Sequence, residues 1–423
     1  MGTLLQITLG SIYAWSYFQK PLMMHTGWSN QQVAWILSLA ICFLGLAAAA
    51  GGILLPRFGP RKLALAGIML YSTGWLIGGF ALEIKSLALL YIGLGVIGGI
   101  GLGLGYVTPV ATAANWFPDK KGFITGMVVM GFGFGALFMS KLIGPFLIGI
   151  CTTISPEGTI LTAWAKVFYL IAISLGIPGF ISSMFMRNPP DGFVPTGWVS
   201  QASDIMDSGT SCLTPLQCIL SRRFILMFSI FFCNITAGIM FIGFQSPLLQ
   251  DMLRAENPVS TSAVLAAAGA TLIGISSLFN GIGRIFWGGL SDRIGRIQSF
   301  RLILSSQIFV FIALLFIKSP TLFGVLVCYI LLCYGGGFGT MPSFVLTVFG
   351  NRVMAVVYGC MLIAWSMAGL IGPQIVAFFK DNYSSQQAAS WTFISGATVL
   401  TVGLLLSFAL NNDSLNIKTK NKN

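Results

Sequence analysis

The sequence predicts an all-α membrane protein whose twelve transmembrane helices form two pseudo-symmetric bundles of six. Three observations carry that expectation. Of the 423 residues, 56% are hydrophobic and only 8% charged, where a soluble domain carries about 25% charged residues. Apolar stretches of about 20 residues, enough to cross a bilayer as a helix, recur along nearly the whole chain. The second half also repeats landmarks of the first. Pro342 and Gly359 lie the same distance beyond Pro109 and Gly126, and Gly52-Ile-Leu-Leu-Pro-Arg-Phe-Gly-Pro-Arg61 parallels Gly288-Gly-Leu-Ser-Asp-Arg-Ile-Gly-Arg296.

In order, the spans are expected near 3–24, 31–55, 63–82, 87–116, 122–150 and 162–186, then 224–249, 262–290, 299–317, 321–348, 353–379 and 390–410. Span one starts at Met1 without a basic stretch ahead of it, so it reads as a span and not a cleaved signal, with a short leader expected before it. Spans four and five carry runs of glycine, from Gly93 to Gly105 and from Gly126 to Gly135, at spacings that let helix backbones approach closely in lipid. No strand precedes them, so they are not nucleotide loops. The longest hydrophilic interval, 187–223, is expected to be a cytoplasmic linker between an N-terminal bundle, 1–186, and a C-terminal bundle, 224–411. Residues 412–423 form a cytoplasmic tail.

The formal charge of +12 points to topology and not to nucleic acid, because the cations form no patch with interleaved aromatics. Fifteen Lys and Arg fall in the even-numbered loops and the C-terminal tail, Arg57, Arg61, Arg293 and Arg296 among them, against six in the odd-numbered loops. That bias places both termini in the cytoplasm. Most of the eight cysteines lie inside apolar spans, and the one histidine, His25, is far in sequence from the Cys212–Cys218 pair, so no metal or other cofactor is expected. No nucleophile–base pair argues for an enzyme, and no soluble signalling domain argues for a sensor. A monomer in the lipid bilayer is expected.

One residue stands apart. Arg284 lies eight residues before Asp292, roughly 12 Å inside the end of span eight and near the centre of a ~30 Å hydrocarbon core. An arginine at that depth is expensive and needs a partner. All eleven acids fall in loops, at helix ends or in tails, so the missing negative charge points to an anionic ligand. The plainer alternative is a structural arginine satisfied by backbone carbonyls or by Asn280, one turn back. No intramembrane carboxylate is left to carry a coupling proton, so a co- or counter-transported ion would travel with the substrate or through His25, for which a plain interfacial role is the alternative.

The loop Gly288-x-Leu-Ser-Asp-Arg-Ile-Gly-Arg296 resembles a signature of the major facilitator superfamily. More narrowly, Gly101-Leu-Gly-Leu-Gly-Tyr-Val-Thr-Pro-Val-Ala-Thr112, Thr125-Gly-Met-Val-Val-Met-Gly-Phe-Gly-Phe-Gly-Ala136, Tyr334-Gly-Gly-Gly-Phe-Gly-Thr-Met-Pro342 and Tyr358-Gly-Cys-Met-Leu-Ile-Ala-Trp-Ser-Met-Ala-Gly369 are similar to the oxalate/formate antiporter family. The resemblance covers all twelve spans. It implies a secondary transporter of small carboxylates in a plasma or cytoplasmic membrane, working by alternating access of two bundles, and it aligns Arg284 with a substrate-binding arginine of span eight. Two departures matter. Pro56 and Pro60 stand where the superfamily favours an acid and a base, so Arg57 and Arg61 gate more weakly than the loop of Asp292, Arg293 and Arg296. The span-eleven lysine that partners the arginine in the oxalate transporter is absent, since nothing basic lies between Arg352 and Lys380.

One fixed positive charge matches one carboxylate, so a monocarboxylate such as formate, pyruvate or lactate is expected ahead of oxalate. Aromatics near mid-helix, Trp365, Tyr13, Trp15, Tyr106 and Tyr334, are candidates to shape the pocket, with Asn280 and Gln245 as secondary polar contacts. Each has the plainer alternative of packing or interfacial anchoring. An oxalate/formate-type dicarboxylate exchanger is the competing expectation.

Overall fold

The computed structural model describes residues 1–117, 121–154, 160–190 and 214–410. Most of the expected linker and the expected tail lie outside the described residues. Ten of the described helices are long and apolar enough to cross a membrane. One of these, Asn30–Glu83, runs to 54 residues, and at ~1.5 Å per residue that is far more than a ~30 Å core can take in one pass. Gly59 breaks it with φ 75° and ψ 162°, which makes spans two and three. Span one is interrupted in another way: Gly2–Gly10 and Trp15–Thr26 flank a tight 3-10 turn, Ser11–Ala14. With these included, the described residues make twelve crossings, as expected.

The repeat seen in the sequence is also a repeat of backbone. Gly295, between spans eight (Ser262–Ile294) and nine (Arg296–Leu314), has φ 92° and ψ 151°, nearly the conformation of Gly59. A side chain disfavours positive φ, so glycine holds both turns. Helix starts are set by polar caps: Ser29 and Gln32 form a capping box ahead of span two, and Ser221, Thr261 and Ser319 each accept a backbone N–H at the starts of spans seven, eight and ten. A short antiparallel hairpin, Thr152–Ile154 with Ile160–Thr162, joins spans five and six. Large apolar side chains such as Phe146, Phe309 and Leu405 stay exposed on the outside of the bundle, the surface a lipid solvent tolerates.

The helices of the first half meet those of the second along spans two and eleven, spans five and eight, and spans one and seven. Span five is built of Lys121–Phe138, the π-helical Met139–Ile143 and Gly144–Cys151. Lys141, a cation that the loop count leaves out, sits in the π-helical piece and donates to Thr271 of span eight. That contact is a polar link between the halves which a survey of loops overlooks.

Candidate functional site

Span eight is pressed against span ten (Pro320–Phe349) so closely that backbones touch. A Cβ at Gly335 would lie 2.0 Å from the Asn280 carbonyl oxygen, and one at Gly339 would lie 2.1 Å from that of Arg284. Small residues at these two positions, one turn apart, therefore fix where Arg284 stands. Its side chain is 1% exposed, and the guanidinium carbon lies 5.1 Å from the centre of the Phe338 ring. Nε, Nη1 and Nη2 complete no hydrogen bond among the described residues. None of the ion pairs among the described residues involves Arg284. The ring quadrupole stabilises the charge by roughly 0.5–2 kcal/mol, short of the several hydrogen bonds a buried guanidinium needs. Of the two sequence-level alternatives, backbone carbonyls and Asn280, neither satisfies it: the Asn280 amide is itself buried without a partner.

Around this cation, five spans contribute a connected set of rings. Phe338 packs on Trp365 with centroids 4.7 Å apart, Trp365 on Tyr106 at 5.3 Å, Tyr106 on Phe132 at 5.3 Å and Phe132 on Tyr13 at 5.0 Å, all edge to face. The Tyr13 and Tyr334 hydroxyls share a hydrogen bond of 2.6 Å across the two halves. Four of the expected aromatics are thus brought together with Arg284. Trp15 is not among them: its Nε1–H donates to the Val33 carbonyl of span two. Gln245 accepts from Ser276, two turns before Arg284 on span eight, and so has a partner of its own.

Three residues of the cluster escaped the sequence reading. Phe132 and Phe338 are spaced one turn or less from recognised glycines and, for Phe338, four residues after Tyr334, a helical spacing that puts both rings on one face. Tyr358 lies seven residues before Trp365 on span eleven, again on one face. Its hydroxyl and that of Tyr106 are buried and complete no hydrogen bond among the described residues. The two hydroxyls approach each other, and that of Tyr106 approaches Arg284, without meeting strict hydrogen-bond geometry.

A cavity of about 120 Å³ lies beside Arg284, lined by Gly126, Ile285, Gly288, Gly289, Gly339 and Ser343, and reaches Asp292. Asp292 accepts from Arg296, the first residue of span nine, and Arg296 also donates to Ser291. Arg293, Arg57 and Arg61 are exposed. At the opposite end the halves are tied by charge. Asp251 of span seven (Arg222–Glu256) binds Lys20 of span one at 2.7 Å and also Lys380 of span eleven. The neighbouring Asp381 accepts the backbone N–H groups of Asn30 and Gln31 at the start of span two, at 3.1 and 2.9 Å. A carboxylate is well placed there by the helix dipole.

Residues 2–373 match the sequence profile of the Major Facilitator Superfamily. The oxalate:formate antiporter of Oxalobacter formigenes is 26% identical over 91% of this chain and 85% of its own length. Apicoplast pyruvate carrier 1 of Toxoplasma gondii is 26% identical over 87% of this chain and 71% of its own. Among solved structures, a bacterial homologue of the human lysosomal transporter Spinster, inward-facing and unoccupied, superimposes with a TM-score of 0.69 at 16% identity, covering 96% of this chain and 95% of that one.

Proposed function

From the premise that the chain belongs to the Major Facilitator Superfamily, we propose that this transporter carries small monocarboxylates, such as formate, pyruvate or lactate, with Arg284 binding the carboxylate. The observation that carries this reading is a buried guanidinium that, among the described residues, has no acid and no completed hydrogen bond, set beside a cluster of rings. Its planar fork suits a carboxylate bound through two parallel N–H···O contacts. An anionic ligand would neutralise the charge and satisfy the donors in one step. The relatives transport anions of this kind by their names, which supports the class of substrate. Among the described residues, no second cation joins the cluster, and Lys380 of span eleven is held by Asp251 at the far end. One charge favours a monoanion.

The bundles 1–186 and 224–411 would rock about this site. With the termini and the Asp292 loop on the cytoplasmic side, the cavity from Arg284 to Asp292 is the cytoplasmic approach. The Lys20–Asp251–Lys380 cluster and the Asp381 cap then close the outer side, so this conformation faces inward. In the opposite state, Asp292, Arg293 and Arg296, with the weaker pair Arg57 and Arg61, would close the cytoplasmic end. The similarity to an oxalate:formate antiporter favours oxalate as a second reading. Counterflow in proteoliposomes with labelled formate, pyruvate, lactate and oxalate decides between them: a monoanion should exchange fastest, and preference for oxalate over every monoanion overturns the one-charge argument.

A further inference from the structure

The donors around Arg284 outnumber what a bare carboxylate can accept. Two N–H groups of the fork occupy one lone pair on each carboxylate oxygen, leaving about two more sites on those oxygens. Against them stand the Tyr106 and Tyr358 hydroxyls, the Trp365 Nε1–H and the Asn280 amide, all buried and none completing a hydrogen bond among the described residues. The other phenol pair differs. Tyr13 and Tyr334 satisfy each other at 2.6 Å, so they line the site as a closed unit, whereas the Tyr106 and Tyr358 hydroxyls approach each other without completing a hydrogen bond. The Tyr106 ring is clamped edge to face by Phe132 and Trp365, both at 5.3 Å, so its hydroxyl has a fixed direction. Tyr106 belongs to the first half of the chain and Tyr358 to the second.

We propose that Tyr106 and Tyr358 form the neutral part of the anion site and read an oxygen on the carbon next to the carboxylate, so that the site selects 2-oxo and 2-hydroxy monocarboxylates over unsubstituted ones. This rests on the reading of Arg284 as the carboxylate ligand. The fork takes the carboxylate, and the phenols donate to the 2-oxygen. A ligand lacking that oxygen leaves two buried hydroxyls unpaired, and sites built to hydrogen-bond a substrate oxygen reject such analogues strongly. Because the phenols come from opposite halves, a ligand that bridges them favours the conformation in which the halves meet, which links recognition to closure.

The test compares pyruvate and lactate with propionate, which has the same carbon skeleton and charge but no 2-oxygen. Half-saturation for uptake is measured with the full chain in proteoliposomes. Pyruvate or lactate is expected to be favoured over propionate by about tenfold or more. Tyr358→Phe should reduce that preference towards one, chiefly by weakening pyruvate and lactate, and Tyr106→Phe should act in the same direction. Equal affinity for propionate and pyruvate in the unaltered protein overturns the proposal, yet leaves Arg284 as a carboxylate ligand. So does a Tyr358→Phe variant, folded by thermal melting, that weakens both acids equally. Binding of none of the three acids, nor of formate, overturns both readings. The first comparison needs no variant, so misfolding cannot obscure it.

Discussion

Gly339 meets Arg284 backbone to backbone: a Cβ on the glycine would stand 2.1 Å from the arginine carbonyl oxygen. The position of the site therefore depends on a residue with no side chain. Gly339→Ala should push spans eight and ten apart, costing about 1–3 kcal/mol by overpacking and lowering uptake by displacing Arg284. Gly149→Ala, where a Cβ meets nothing within 4 Å, is the control and should be neutral or slightly stabilising. Thermal melting and uptake on both variants check the contrast, and equal behaviour would sink it.

Arg284→Lys keeps the charge but loses the fork and the stacking on Phe338. Uptake should fall by about tenfold or more, with normal expression. Undiminished transport in proteoliposomes would remove Arg284 from the site.

Tyr13→Phe leaves the Tyr334 hydroxyl without its partner in a dry interior and should cost about 1–3 kcal/mol. Removing both hydroxyls restores part of that loss, because nothing is then left unpaired. A double-mutant cycle in thermal stability reads the coupling directly. Strict additivity would mean that the pair does not interact.

Asp251→Asn leaves Lys20 and Lys380 facing each other without their shared carboxylate. The two halves should part more readily at that end, seen as faster amide exchange in residues 20–31 and 376–384. Unchanged exchange there would show that the cluster does not hold the halves together.

Asp292→Asn breaks an exposed pair with Arg296, so the stability change should stay within about 1 kcal/mol. Maximal velocity should shift while half-saturation stays nearly constant, as expected of a contact that biases conformations without shaping the pocket. A large rise in half-saturation would instead place Asp292 on the ligand.

Much of this was legible in the order of residues. Hydrocarbon thickness dictates span length, so composition alone announced twelve crossings, and the matching turns at Gly59 and Gly295 followed from a repeat visible in the sequence. Arg284 could be singled out because a charge at bilayer depth is costly wherever the chain folds around it. Tyr13, Tyr106, Tyr334 and Trp365 were also reachable, as polar-tipped rings near mid-helix. Only the tertiary structure decided which of these rings have free hydrogen-bonding groups. It turned Trp15 to the Val33 carbonyl, paired Gln245 with Ser276, joined Tyr13 to Tyr334 and left Tyr106 and Tyr358 open beside the guanidinium. It also brought Lys20, Asp251 and Lys380 together from three distant spans. Depth is a property of one helix and can be counted along it. Hydrogen-bond satisfaction depends on which faces of several helices meet, and periodicity within a single helix does not encode that.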